Sequence, residues 1–161
     1  MTNKIVLNID SNDIKPIAEK LLSKKVKNEG YKINTNPELM LVPEYETDAD
    51  VTLPIFEGEQ FFEVSGFSYW PDIEDPAYVM LDVSDDMIVQ LWRDELITQI
   101  GKQNIHSNDY NPHIIILKKG DNKNKTEFNI NPEVRNELLN KCEEITVPNH
   151  IKANHIDIID N

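Results

Sequence analysis

The alternation of apolar and polar residues along the chain predicts short β-strands interleaved with helices. Strands are expected where apolar residues alternate with polar ones between turn-forming residues. They are predicted at residues 4–9, 39–42, 51–56, 60–67, 78–83, 113–117, 145–147 and 156–159. Most of these strands are joined by short connections, so the pattern predicts a mixed α+β fold with largely antiparallel pairing.

Three segments combine apolar residues at helical spacing with residues that begin a helix. The first follows Ser11 or Asn12, either of which serves as an N-cap, and the third follows Asn131 and has Pro132 at its first position. The second covers residues 84–100. Its apolar stripe predicts a buried face made of Ile88, Leu91, Trp92, Leu96 and Ile100. We therefore expect helices flanking the sheet.

The length and composition predict a single globular domain over residues 1–161. The chain is 39% hydrophobic and 28% charged, which is ordinary for a folded protein. No composition shift marks a linker, and no short repeat is present. A chain of this length buries a core large enough to fold without cross-links.

The net charge of −13 argues against binding to extended nucleic acid or to an anionic membrane, since both need a basic surface. The charge is unevenly distributed, because residues 33–101 contain 16 acidic residues and only one basic residue, Arg93. Lysines concentrate after the strand at residues 113–117, at Lys118, Lys119, Lys123 and Lys125. A basic pocket for one small ligand therefore remains compatible with the composition.

The sequence predicts a cytoplasmic protein without a metal or a cofactor. Cys142 is the only cysteine, so the chain can form neither an internal disulfide nor a zinc site built from several thiolates. The N-terminus lacks the features of a signal peptide, and no run approaches the ~20 apolar residues that span a bilayer. His150 and His155 lie close in sequence, but no further ligand nearby completes a metal set.

Two of the predicted strands begin with a polar residue in an otherwise apolar run. Asp50 and Thr52 stand two positions apart at the start of one strand, and His113 and Ile115 stand at the start of the other. Residues two apart on a strand point to the same side, so each pair projects together. If these strands lie side by side, we expect both pairs to face one cleft.

These residues resemble the two His-x-Thr/Ser motifs of the 2H phosphoesterase superfamily. The Asn-Pro-His run that ends at His113 is similar to the second motif, and Asp50 with Thr52 stands 63 positions upstream, where the first motif belongs. The strands and the helix predicted between them follow the order of the family. The resemblance covers about residues 39–159 and implies a bilobal, pseudo-symmetric fold of mostly antiparallel sheets flanked by helices.

The resemblance also implies a phosphate-binding centre, from which this sequence departs at two positions. In the family, both histidines act as acid or base and both hydroxyls bind phosphate oxygens. Here Asp50 replaces the first histidine and Ile115 replaces the second hydroxyl. An aspartate ordinarily titrates far below neutral pH, and loss of a hydroxyl that stabilises charge lowers a rate by ~10²-fold or more. The sequence therefore favours binding without turnover over catalysis.

The same placement nominates residues that would contact a ligand. Thr52 and His113 remain available to a phosphate, and Lys118 and Lys119 follow the strand of His113 closely enough to neutralise it. Aromatic side chains at strand or loop ends would stack on a base. These aromatic candidates are Phe56, Tyr69, Trp70 and Tyr110.

The leading hypothesis takes its ligand from family members of similar size. These are phage anti-CBASS nucleases, which destroy the cyclic oligonucleotide signals of bacterial immunity. By this resemblance, the chain is a phage-type immune-evasion protein that sequesters a nucleotide-derived signal in a degenerate 2H cleft. One alternative is an active phosphodiesterase that cleaves a cyclic nucleotide with Asp50 and His113. Another is a DNA-mimic inhibitor, whose acidic surface occupies the basic groove of a nucleic-acid-binding protein.

Overall fold

The computed structural model describes residues 2–55, 60–83, 87–106, 111–120 and 130–160, which form an α+β fold. This part of the chain holds seven strands and four helices. The strands are Asn3–Ile9 (β1), Tyr31–Ile33 (β2), Glu38–Tyr45 (β3), Gln60–Trp70 (β4), Tyr78–Val83 (β5), His113–Lys119 (β6) and His150–Asp160 (β7). The helices are Ser11–Leu21 (α1), Lys24–Asn28 (α2), Met87–Ile100 (α3) and Pro132–Glu144 (α4).

The seven strands form one antiparallel sheet, which is closed by a pairing between the last strand in the order and the second one. Their order is β2-β6-β3-β1-β7-β4-β5, and an additional pairing joins β5 to β6. On β6, Ile114 pairs with Leu39 of β3 and with Leu81 of β5. Each strand has two edges, so these two partners lie on opposite sides of β6. Six strands therefore close into a ring, and β2 lies beside β3 along the same edge of β6.

The closed ring gives the sheet an inner and an outer face. The inner face is not filled, since Met40 and Trp70 on it are 40% and 55% exposed, and the helices pack on the outer face. Accordingly, α1 and α3 contact β6 and β3, and their apolar residues join those of the strands in one hydrophobic core. Strand residues in this core, such as Ile114, Leu39 and Leu81, belong to the outer face. Their neighbours along each strand belong to the inner face.

The inner face has buried apolar residues of its own. Val6 on β1 and Met80 on β5 are buried, yet neither is part of the core cluster under the helices. Val6 pairs with Met40 of β3, and Met80 pairs with Ile115 of β6. These side chains form the apolar floor of the inner face.

Local sequence signals explain where the helices begin and end. The side chain of Asp10 accepts a hydrogen bond from the backbone N–H of Asn12, and Asn131 does the same for Glu133. At the end of α3, Gly101 adopts φ +88°, a left-handed conformation that glycine accommodates without a steric penalty. The cap at Asn131 and the end of α3 at Ile100 agree with the prediction, whereas the N-cap of α1 is Asp10 instead of Ser11 or Asn12.

Two predicted strands are wrong, and two short elements were not predicted. Residues 51–55 form no strand, although Val51 and Leu53 pack against the core, and residues 145–147 also lie outside any strand. In both segments, apolar side chains are partly buried without a ladder of backbone hydrogen bonds. The missed elements, α2 and β2, are too short for their periodicity to be recognised. The other predicted strands are confirmed to within three residues at each end, except that β7 begins six residues earlier than predicted.

The buried side of α3 differs from the predicted stripe. The buried residues are Val89, Trp92, Leu96 and Ile100, whereas Ile88 and Leu91 are exposed. The predicted and observed stripes share their last residues, so the error is a rotation of the first turn. The predicted start of this helix, at Ser84, lies outside the described residues. No helix in the described ranges is long and apolar enough to cross a membrane.

Two leucines on α3 test this orientation of the helix. Leu96 is fully buried and Leu91 is 61% exposed, so the same substitution removes packing at only one of them. Leu96→Ala is expected to lower the free energy of unfolding by ~2–5 kcal/mol in urea denaturation. Leu91→Ala, the matched control on the same helix, is expected to change it by less than about 0.5 kcal/mol. Equal losses for the two variants would contradict the orientation.

Candidate functional site

His113 lies at the start of β6, half-exposed on the inner face. Its ring nitrogen Nδ1 lies 2.7 Å from the carbonyl oxygen of Asn111. A carbonyl oxygen only accepts, so Nδ1 carries the proton of this hydrogen bond. The opposite nitrogen, Nε2, has no hydrogen bond or ion pair with any residue that the structure describes. In the neutral ring, Nε2 is therefore an acceptor for a ligand, and in the charged ring it is a donor.

The strand next to His113 provides a fixed carboxylate. Asp82 of β5 is the register partner of His113, and its Oδ1 accepts a 2.6 Å hydrogen bond from the hydroxyl of Ser68 on β4. Directly opposed residues of antiparallel strands share a face, so Asp82 and His113 lie together on the inner side. Asp82 is not among the site residues predicted from the sequence. The only indication of it there is that it is a polar residue within the alternating strand at residues 78–83.

The other neighbour of His113 on the inner face is apolar. Leu39 of β3 pairs with Ile114, so the next residue of β3, Met40, lies opposite His113. The sequence had predicted the strand of Asp50 and Thr52 in this position beside β6. Met40 is 40% exposed and has no titratable group. Ile115, two positions beyond His113, has no hydroxyl either. Neither of these two inner-face neighbours of His113, Met40 and Ile115, can accept or donate a proton.

Asp50 and Thr52 do not lie on a strand beside β6. Both are exposed, and the neighbours of β6 are β2, β3 and β5. The backbone N–H of Thr52 donates to Gln99 Oε1 at 2.6 Å, and Gln99 Nε2 donates to the carbonyl oxygen of Thr52 at 2.8 Å. This side chain on α3 satisfies backbone groups that a strand partner would otherwise bind. The predicted juxtaposition of the two polar pairs on neighbouring strands is wrong.

A β-bulge in β6 decides which lysine reaches the inner face. Met80 pairs with Ile115 and Val79 pairs with Leu117, which leaves one extra residue in β6 between them. A bulge of this kind reverses the alternation of side chains beyond it. Lys118, which pairs with Tyr78, therefore shares the inner face with His113 although the two are an odd number of positions apart. Lys118 is exposed there.

The bulge turns Lys119 to the outer face, where it already has anionic partners. Its Nζ lies 3.9 Å from Glu29 and 3.8 Å from Asp75, and its side chain is only 13% exposed. It also lies 5.8 Å from the ring centre of Tyr31. Lys119 is thus part of a structural ion pair network, and its predicted role as a ligand contact stays a prediction.

Trp70 and Tyr69 follow each other on β4 and face opposite ways. Trp70 is 55% exposed and stacks on Tyr78, with 5.5 Å between ring centres, at the end of the inner face that holds Lys118. Tyr69 packs against the core instead, where burial and a hydrogen bond with Cys142 raise the pKa of its hydroxyl above the usual value. Tyr69 is thus partly buried against the core, and its ligand contact stays a prediction. Phe56 and Tyr110 lie outside the described residues.

His155 also lies on the inner face, on β7. Its Nε2 is 2.9 Å from Asp157 and 3.1 Å from the side-chain amide of Asn8, which also donates to Asp157. His150 lies at the other end of the same strand, 3.9 Å from Glu63. Within the described ranges, no group of three side chains is arranged to hold a metal ion.

Comparison with known proteins gives a fold and no function. No protein-family model matches the chain, and no curated protein matches it in sequence. The solved structure of TT0787 from Thermus thermophilus is similar, with a TM-score of 0.52 and 12% sequence identity over 99% of this chain and 84% of that one. At this identity the likeness extends to the fold alone.

The two hydrogen bonds of Gln99 predict how residues 50–52 are held. Gln99→Ala removes both bonds to the backbone of Thr52, so the amide of Thr52 is expected to exchange with solvent deuterium at least ~10-fold faster by NMR. Thr98→Ala, on the same helix, removes only a bond within that helix and is the control. If Gln99→Ala leaves the exchange rate of Thr52 unchanged, another contact holds this segment.

Proposed function

We propose that this protein binds a nucleotide-derived signal on the inner face of its sheet and holds it without cleaving it. The proposal includes the bilobal arrangement of a degenerate 2H phosphoesterase-like protein, with His113 as the phosphate contact. The observation that carries it is the pairing of one free histidine nitrogen with apolar neighbours, Met40 and Ile115. The antiparallel sheet and the helices on its outer face agree with this architecture, and the site residues support the chemistry.

The neighbours of His113 favour binding over turnover. Cleavage of a phosphodiester near neutral pH needs one group to accept a proton and another to donate one. Met40 has no proton to exchange, and the Oδ1 of Asp82 already accepts a hydrogen bond from the hydroxyl of Ser68. Ile115 offers no hydroxyl to stabilise charge on the phosphate, which by itself reduces a rate by ~10²-fold or more. A bound phosphodiester would therefore persist.

Sequestration gives such a protein a use in evading immunity. A phage that produces a tight, non-catalytic binder at high concentration lowers the free concentration of a cyclic nucleotide signal as effectively as slow cleavage would. The overall charge of −13 disfavours long nucleic acids, but a small ligand depends on the local charge at its own site. Lys118 provides positive charge at one end of the inner face.

Thermal unfolding with nucleotides, followed by analysis of the recovered ligand, tests this function. A panel of cyclic mono-, di- and trinucleotides is added to the protein, and any bound compound is released by denaturation and identified by mass spectrometry. A ligand at 100 times its Kd stabilises the native state by about 2.7 kcal/mol, which raises Tm by roughly 5–10 °C. We expect at least one cyclic nucleotide to produce this rise and to be recovered intact.

His113 variants show whether the binding occurs at the proposed centre. His113→Ala is expected to weaken binding by ~10-fold or more, because it removes a hydrogen bond to a charged phosphate. His106→Ala is the control, since His106 is also partly exposed but lies near Glu44, away from β6. Linear product in the recovered ligand would support the phosphodiesterase alternative. The absence of any rise in Tm would reject nucleotide binding and favour the acidic inhibitor.

A further inference from the structure

Two lysines face each other across β2 and β6 without an anionic partner. Lys32 of β2 and Lys118 of β6 are register partners, and both are exposed. Like charges placed directly opposite on neighbouring strands destabilise a sheet. Neither lysine forms an ion pair with any residue in the described ranges. Lys119, the next residue along β6, is in contrast neutralised by Glu29 and Asp75. The uncompensated pair is therefore a position where an anion would stabilise the protein.

A cavity between these lysines is large enough for such an anion. It has a volume of about 450 Å³, and its lining includes Lys32, Lys118, Lys119, Tyr78, Asn34 and Thr35. Its wall is fixed, because the backbone N–H and the side-chain amide of Asn34 donate to the carbonyl oxygens of Ile116 and Ile115 at 2.8 Å each. The two ammonium groups thus lie beside a formed concave surface.

An aromatic pair adjoins the same cavity. Tyr78 lines the cavity and stacks on Trp70, whose ring is more than half exposed. Exposed aromatic rings next to a cationic groove are the combination that proteins use to hold single nucleotides, since the ring stacks on the base while the cation neutralises the phosphate. Both parts of a nucleotide therefore have a matching surface at this end of the inner face.

Lys118 lies toward the end of β6, whereas His113 begins the strand. The two are separated by five positions, which at ~3.3 Å per residue is about 16 Å between Cα atoms. The ring of His113 is bonded to Asn111, on the side away from Lys118, so a ligand with one phosphate at each group spans the distance between them. We propose that the cavity between Lys32 and Lys118 binds one nucleotide of an oligonucleotide, with its base on Trp70 and Tyr78, while a second phosphate lies at His113. This inference rests on the proposed function and identifies its ligand as a cyclic or linear oligonucleotide of at least two nucleotides.

Calorimetric titration with ligands of increasing length tests the inference. The probes are AMP, cyclic di-AMP and cyclic tri-AMP, together with their guanine counterparts. We expect the best cyclic di- or trinucleotide to bind at least 10-fold more tightly than its mononucleotide. Lys118→Gln and Lys32→Gln are expected to reduce this advantage to less than 3-fold. Lys20→Gln, which removes an exposed lysine of α1, is the matched control and should leave the affinity unchanged.

Tryptophan fluorescence locates the base. The chain has two tryptophans, and Trp92 is buried on α3, so quenching on addition of an oligonucleotide reports on Trp70. Trp70→Phe is expected to abolish the quenching while leaving a ring to stack. Equal affinity for mononucleotide and oligonucleotide, or full affinity in Lys118→Gln, would overturn the inference while binding at His113 stands. Loss of all binding in the wild-type protein would overturn the proposed function itself, and this inference with it.

Discussion

The pairing of β6 with β3 on one edge and with β5 on the other is the constraint on which the rest of the structure depends. At Ile114 both partners are present, so the sheet closes and its two faces become an inside and an outside. The helices cover the outside, where the core forms. Every inner-face residue is then fixed by register, and a slip of one position on β6 would bury His113 and turn Ile114 inward.

The bulge in β6 has the second largest consequence for the site. Without the extra residue between Ile115 and Leu117, Lys118 would face the helices and Lys119 would face the inside. The outer position would place a charge among apolar side chains, and this is tolerated for Lys119 only because Glu29 and Asp75 accompany it. One irregular residue therefore separates a structural lysine from a lysine available to a ligand.

The charge of the protein has different meanings at different scales. Over the whole chain the excess of carboxylates repels polyanions, and a long nucleic acid is disfavoured. At the cavity between β2 and β6, two ammonium groups outweigh this background over the few ångströms that matter to one phosphate. A charge averaged over the whole chain therefore does not describe the charge that a small group would meet at this cavity.

The sequence by itself determined the element types that have long, regular patterns and the presence of one polar residue, His113, at the start of an apolar strand. Those elements follow from local spacing, because a strand or helix of sufficient length must repeat its apolar residues with its own period. The sequence did not determine the positions of Asp50, Thr52, Tyr69 and Lys119. The predictions for them assumed either a particular neighbouring strand or an uninterrupted alternation of side chains, and no local pattern determines either one. Only the tertiary structure decided which residues surround His113. Met40 and Asp82 lie on strands distant in sequence, and their positions depend on pairing between strands, which is a non-local interaction. Lys32 belongs to a strand of three residues whose existence depends on the edge of β6 that it covers. The sequence therefore indicated a polar centre on β6, while ring closure and the bulge decided that this centre has apolar neighbours at one end and two lysines at the other.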